Sequence, residues 1–183
     1  MPRWSELIDE LESTQIRRFF PAEKVLGAIG GIREMKKNVA FDVGAGTGYL
    51  TIPLSKIFKK VYAVEISHEM AEKLYEKLKK EGVRNVGIIV SAEPPKIDFK
   101  IDLVVFSNTL HEMENPKDYL SWAKRADFVL VAEWKKVHSD FGPPVDKRIS
   151  LDEILEICRG FEILRSFELP FHYVALLKHK KSI

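Results

Sequence analysis

Two carboxylates and three glycines mark where this chain could do chemistry. Asp42, Gly44, Gly46 and Gly48 follow the apolar, β-branched run that starts at Asn38, and Glu65 closes a second such run that starts at Lys60. A strand that turns at glycines spaced two apart and leaves into a helix makes a nucleotide cradle. Without side chains, the backbone there can approach a ligand and adopt positive φ angles. Glu65, expected at the tip of the neighbouring strand, is placed to accept hydrogen bonds from both hydroxyls of a ribose. The third glycine comes one place early for a dinucleotide fingerprint, and Tyr49 stands where that glycine belongs. Asp42 beside the turn repels phosphate and suits an ammonium group. The pattern asks for a ligand with adenosine at one end and an amino acid at the other.

A second polar group follows the apolar run Ile101 to Phe106. Ser107, Asn108, His111 and Glu112 lie in one loop. His111 is the base candidate, because an imidazole titrates near neutral pH and can take a proton from a hydroxyl or an amine. The alternative is that His111 and Glu112 cap or orient the following turn. Glu133 and Trp134 end a further apolar run, where they can wall an acceptor site, and a core role for Trp134 stands equally open. His138 and Arg148 fall in the segment Lys135 to Ser150, where a solvated role is the simpler expectation.

The run Asp42-Val43-Gly44-Ala45-Gly46-Thr47-Gly48, with Glu65 on the next strand and Ile101 to Glu112 further on, resembles the class I S-adenosylmethionine-dependent methyltransferases, whose first motif reads D/E-x-G-x-G-x-G. The resemblance covers residues 38 to 135 firmly. Within the family it looks most like the small-molecule branch that includes the ubiquinone and menaquinone biosynthesis methyltransferases. It implies an α/β, Rossmann-like, doubly wound fold: a mostly parallel seven-stranded sheet with helices on both faces and a C-terminal antiparallel hairpin. It also implies S-adenosylmethionine as cofactor, S-adenosylhomocysteine as product and a small-molecule methyl acceptor.

Carried onto this chain, the resemblance assigns Asp42 to the methionine ammonium and the backbone of Gly44, Ala45, Gly46 and Gly48 to the amino-acid portion and ribose. Glu65 takes the ribose hydroxyls, Ile66 one adenine face, and Ala92 and Glu93 the edge of the base. Ser107 faces the sulfonium, while Asn108, Glu133 and Trp134 fall to the acceptor and His111 and Glu112 to catalysis. Ser91 departs from the pattern, because it stands where the branch usually carries an aspartate. Other readings are a non-catalytic protein that binds the cofactor as sensor or scaffold and, disfavoured by Tyr49 and Asp42, a nicotinamide oxidoreductase. Nucleic-acid methylation usually calls for an N/D-P-P-Y/F loop after the fourth strand, and Ser107-Asn108-Thr109-Leu110 is not one.

Strands and helices must alternate to hold these residues in place, which makes the sheet parallel. Strands are expected at Asn38 to Val43, Lys60 to Glu65, Val86 to Val90, Ile101 to Phe106, Phe128 to Trp134, Phe161 to Leu169 and Phe171 to Lys178. Val86 to Val90, a continuous apolar run, reads as a strand buried on both faces. Helices are expected at Ala22 to Ile32, at Tyr49 to Phe58 with Pro53 near its first turn, after Ser67 as a cap, at Asn115 to Lys124, and at Leu151 to Cys158 behind a capping box. A helix from Trp4 to Phe20 reads as core-packed or as a lid whose Arg17 and Arg18 reach an anionic acceptor. Residues 1–183 form a single domain, with 1–36 a helical extension and 37–183 the catalytic core.

A chain of 183 residues with 29 basic and 27 acidic side chains carries a net charge of only +2, so no broad field for nucleic acid or a membrane surface is expected. The single cysteine, Cys158, rules out an internal disulfide or a cysteine-built zinc site and fits a reducing cytoplasm. No apolar run reaches bilayer length, and Met1 to Glu6 lacks a signal-peptide core. No metal is expected, and the chain should act as a monomer or homodimer.

Overall fold

The computed structural model describes residues 18–140 and 142–180. The expected helix over residues 4–20 therefore lies almost wholly outside the described residues. Arg18 and Phe19 are helical, and the first helix described in full is α1 (Ala22–Gly27). It is shorter than the spacing predicts, because the chain turns over the next residues and Gly31 takes a φ of 72°.

A seven-stranded sheet in the order β3-β2-β1-β4-β5-β7-β6 organises the chain. Its parallel part comprises β1 (Val39–Val43), β2 (Lys60–Glu65), β3 (Val86–Val90), β4 (Ile101–Ser107) and β5 (Ala126–Trp134). The hairpin of β6 (Phe161–Glu168) and β7 (His172–His179) completes it, with β7 antiparallel to both β5 and β6. Strand order reverses between β1 and β4, and such a reversal opens a crevice beyond the carboxyl ends of the two strands. Asp102 in β4 fixes the start of β1, accepting from the N–H groups of Asn38 and Val39 at 2.8 and 2.9 Å.

Side chains of the central strands alternate between two apolar layers. Leu103, Val105, Leu130 and Ala132 face one layer with Phe20, Val25 and Leu54, while Val104, Phe106, Val129 and Val131 face the other with Leu120 and Ile154. This period of two is what a sheet covered on both faces requires. β3 departs from that expectation. It pairs only with β2, is half-buried from Val86 to Ile89 and exposed at Val90, because it is the edge of the sheet rather than an interior strand.

Helices fill both layers. α2 (Thr51–Ser55) spans half of the predicted Tyr49 to Phe58, and Pro53, which has no N–H to donate, occupies its third position. α3 (His68–Lys80) begins where Ser67 Oγ accepts from Met70 N–H, lays Met70, Ala71, Leu74 and Leu78 against the sheet, and ends in Lys77, Lys79 and Lys80. Those lysines complement the negative end of the helix dipole. α4 (Pro116–Ala123) and α5 (Leu151–Ile157) cover the other face, α5 opening on a reciprocal pair between Ser150 and Glu153. Glu153 also receives Lys136, which pulls its carboxyl down to about 2 together with the Ser150 bonds. No helix among the described residues is long and apolar enough to cross a membrane, and Cys158 is a buried free thiol.

Candidate functional site

The glycine turn after β1 docks on β2. Gly44 N–H and Ala45 N–H both donate to Val64 O, at 2.8 and 3.0 Å. Gly44, Gly46 and Gly48 all have positive φ. At Gly44 the requirement is double, because its φ is 73° and a β-carbon there would collide with the Thr109 side chain. The loop after β4 thus closes onto the turn after β1 through one threonine. At Gly46 a β-carbon would meet only Met70 Sδ, at 3.9 Å, so that stretch of backbone stays open to approach.

Glu65 lies at the carboxyl tip of β2 and is 5% exposed. Its Oε2 accepts from Gly46 N–H at 2.8 Å and its Oε1 from Ser67 N–H at 2.9 Å, so the carboxylate ties the turn to the start of α3. Asp42 is 2% exposed and accepts from Thr51 Oγ at 2.6 Å. Burial raises its carboxyl to about 6, with Glu65 adding to the rise and the Thr51 bond opposing it. Thr51 carries no signal in the sequence as a partner of Asp42; it reaches the strand because α2 folds back over the turn. Ile66 is exposed. Ala92 and Glu93 are exposed past the end of β3, where Ser91 Oγ donates to Glu93 O and accepts from Glu93 N–H.

Beyond β4 the chain reverses sharply. Asn108 has a φ of 51°, the one positive value among described residues other than glycine, and its N–H donates to Ala132 O at 2.9 Å. Asparagine tolerates this left-handed conformation better than most residues. Glu133 holds Thr109, Leu110 and His111 in place. It is fully buried, and its Oε1 accepts from both Thr109 N–H and Leu110 N–H, at 2.7 and 2.8 Å, while its Oε2 lies 2.9 Å from His111 Nδ1. Both oxygens are thereby engaged within the protein. Glu133, expected to wall the acceptor, instead reaches the site through His111.

Burial works against a charge on His111, yet the hydrogen bond and charge of Glu133 outweigh it and raise the imidazole pKa. His111 Nε2 lies 3.7 Å from Glu112 Oε1. Burial, with Glu133 and Glu65 nearby, raises the Glu112 carboxyl. Beside this pair opens a cleft of about 480 Å³ lined by His111, Glu112, Glu114, Asp146, Lys147 and Arg148 among others.

Arg148 corrects a sequence expectation. It is 3% exposed, not solvated, and its guanidinium donates to the carbonyls of Pro143, Lys135 and Val137 and to Ser139 Oγ. One side chain therefore gathers the long loop after β5. His138 is exposed. Trp134 is buried, with Arg148 over its ring at 5.3 Å and the His172 ring 4.2 Å away, while Phe20 covers His172 from 4.5 Å. Trp134 is directly opposite His172 in the β5–β7 register and shares its face of the sheet, whereas Glu133 shares the other face with His111. Sequence reasoning did not single out Thr51, Thr109 or His172, because their importance comes from contacts between distant segments. Among the described residues no cluster of three or more histidine, cysteine or carboxylate side chains could hold a metal ion.

Residues 41–126 match the family described as a methyltransferase domain. The chain is similar to the crystal structure of a SAM-dependent methyltransferase from Aquifex aeolicus, with a TM-score of 0.81 and 29% identity over 97% of this chain and 98% of that one. It is also similar to a type 11 methyltransferase from Sulfolobus solfataricus, with a TM-score of 0.72 and 26% identity over 87% and 92% of the two chains. Among curated proteins, a ribosomal RNA small subunit methyltransferase A from Pyrobaculum aerophilum is 43% identical over 68 residues, which are 37% of this chain and 30% of that protein. The chain thus spans less than a third of the length of that relative. The fold, the match over residues 41–126 and these solved relatives make the chain similar to S-adenosylmethionine-dependent methyltransferases. The match and the solved relatives imply S-adenosylmethionine as the cofactor. Within that class the likeness to the Aquifex protein extends over nearly the whole of both chains.

The side chains around the glycine turn suit that cofactor. Buried carboxylates at Asp42 and Glu65, with Glu112 close by, make an anionic surround for a molecule carrying a sulfonium and an ammonium. The open backbone at Gly46 leaves room for its amino-acid end.

Proposed function

We propose that this protein transfers a methyl group from S-adenosylmethionine to a small-molecule acceptor, with His111 taking the acceptor's proton. The cofactor supplies an electrophilic methyl carbon on a positively charged sulfur, so the protein's tasks are positioning, exclusion of water and proton removal. Asp42, the Gly44 to Gly48 backbone and Glu65 hold the cofactor, Ile66, Ala92 and Glu93 border its base, and Ser107 stands near the reacting carbon. The branch is that of the ubiquinone and menaquinone enzymes.

The observation that carries this reading is the Glu133–His111 pair. A buried carboxylate that accepts from two backbone N–H groups and lies against Nδ1 favours the proton on Nδ1, and once the imidazole is neutral Nε2 can accept. The cleft beside it has the volume of a small-molecule site. The similarity to a ribosomal RNA methyltransferase makes RNA the acceptor to exclude first.

Calorimetry with S-adenosylmethionine, S-adenosylhomocysteine and NAD tests the cofactor. Methyl transfer from tritiated cofactor, run with a metabolite extract and separately with ribosomal RNA, tests the acceptor. Label in the extract's small molecules supports the proposal, and label confined to RNA overturns it.

A further inference from the structure

Asp42, next to last in β1, holds its carboxylate in an apolar slot. Its register partners are Ala63 of β2 and Val105 of β4, and both are fully buried. Residues in register share a face of the sheet, so these two flank the Asp42 side chain. Thr51, the first residue of α2, closes the slot: its hydroxyl, on a fully buried residue, donates to Asp42 Oδ2 at 2.6 Å. The bond spans the glycine turn, from Asp42 on its near side to Thr51 on its far side. The charged group that acts on Asp42 is Glu65 on β2, which opposes ionisation, while α2 carries no charged residue.

The second oxygen of Asp42 is left for a ligand. Among the described residues, Oδ1 takes part in no hydrogen bond. Nor is it one of their sealed polar atoms without a partner, which are Asn108 Oδ1 and the two ring nitrogens of His172, so Oδ1 reaches the opening at the carboxyl end of β1. A carboxylate buried with one hydroxyl partner burdens the fold unless a cation meets it.

We infer that Thr51 is a positioning residue for the cofactor: its hydroxyl holds Oδ2 inside the fold and so aims Oδ1 of Asp42 at the cofactor's ammonium group. This rests on the methyltransferase reading and deepens it, since Thr51 acts there only through Asp42. The same bond favours the charged carboxylate. Burial carries Asp42 up to about 6 even with Thr51 in place, and loss of the hydroxyl removes the one contact that opposes this rise. A protonated Asp42 offers no charge to an ammonium group and must release its proton to solvent before the pair can form.

Calorimetry on the full chain from pH 5 to pH 8.5 tests this with two ligands. S-adenosylhomocysteine carries the ammonium group, whereas 5′-methylthioadenosine shares the adenosine and thioether but lacks the amino-acid end. Wild-type affinity for the first should fall about ten-fold between pH 7 and pH 5, and for the second by less than about two-fold. Thr51→Val should bind S-adenosylhomocysteine about five- to ten-fold more weakly at pH 7, with the acid limb moved up by about one pH unit and the deficit narrowing toward pH 8.5. Its methylthioadenosine affinity should hold, Thr51→Ala should behave in the same way, and Thr51→Ser should restore both the affinity and the limb. A wild type without the acid limb, a limb common to both ligands, equal weakening of both ligands in the valine and alanine variants, or variants that bind as the wild type does would overturn the inference. Failure of S-adenosylhomocysteine to bind the wild type at any pH would instead strike the methyltransferase reading.

Discussion

Glu133 Oε2 lies 2.9 Å from His111 Nδ1, and the same carboxylate grips the two backbone N–H groups just before that histidine. The loop and the imidazole are therefore set by one side chain from the neighbouring strand.

In Glu133→Gln, the amide oxygen can keep the Thr109 and Leu110 bonds, which leaves the NH₂ group facing Nδ1. The imidazole proton then moves to Nε2, and the accepting nitrogen is lost. Turnover should fall by about 10²- to 10⁴-fold while S-adenosylhomocysteine affinity holds. In the wild type, the fraction of neutral His111 grows as pH rises through its raised pKa, so activity should climb on that limb. In the variant, His111 should titrate lower and the limb should disappear. Imidazole ¹⁵N shifts across a pH series check the tautomer directly, and an unprotonated Nε2 in the variant would contradict this assignment.

Glu65→Ala should weaken S-adenosylhomocysteine binding about ten-fold or more, since hydrogen bonds to a charged group contribute roughly 1.5–3 kcal/mol. The loss has two sources: the ribose contacts and the ties to Gly46 and Ser67 that shape the turn. Titration calorimetry decides it, and unchanged affinity would remove Glu65 from the site.

Acid should destabilise the protein through His172. Burial, with His111, Arg148 and Lys135 near it, holds this imidazole down to about 3. An unfolded histidine titrates at about 6.5, so between these values the unfolded chain binds the extra proton. Stability from this residue is complete above the higher value and is lost as pH falls toward the lower one, on the order of 5 kcal/mol in all. His172→Phe should flatten the decline in chemical-denaturation midpoint between pH 7 and pH 4. Asp42 runs the other way. Its raised carboxyl favours the fold at acid pH and loses that contribution as pH rises through about 6. Asp42→Asn should therefore raise the melting temperature at pH 8 and leave it little changed at pH 4.

Arg148→Lys keeps the charge but not the planar fork that reaches several carbonyls at once. Amide exchange in residues 135–139 and 143–149 should accelerate, with a stability loss of about 1–3 kcal/mol. Exchange rates equal to those of the wild type would show that the loop holds itself.

The sheet was legible because its signals are local. The β-branched runs, the caps at Ser67 and Ser150, and Pro116 opening α4 each act within a few residues of themselves. Asp42, the glycines and Glu65 were legible as a group because their spacing follows from one strand–turn–helix unit and its neighbour. Thr51 beneath Asp42 and Thr109 against Gly44 were not, because each contact joins segments that meet only after the sheet forms. Arg148 was misplaced for a related reason: an arginine in a proline-rich loop looks solvated until the carbonyls that surround it are folded into place. The edge position of β3 was hidden because an apolar run has the same composition at the rim of a sheet as inside it.

Glu133 and Trp134 are consecutive residues whose side chains leave β5 in opposite directions. A slip of that strand by a single residue would hand the indole to the imidazole and bury the acid among aromatic rings. The alignment of β5 between its parallel and antiparallel partners is consequently a chemical setting as well as an architectural one, and an insertion before residue 133 should silence the protein even if it still folds.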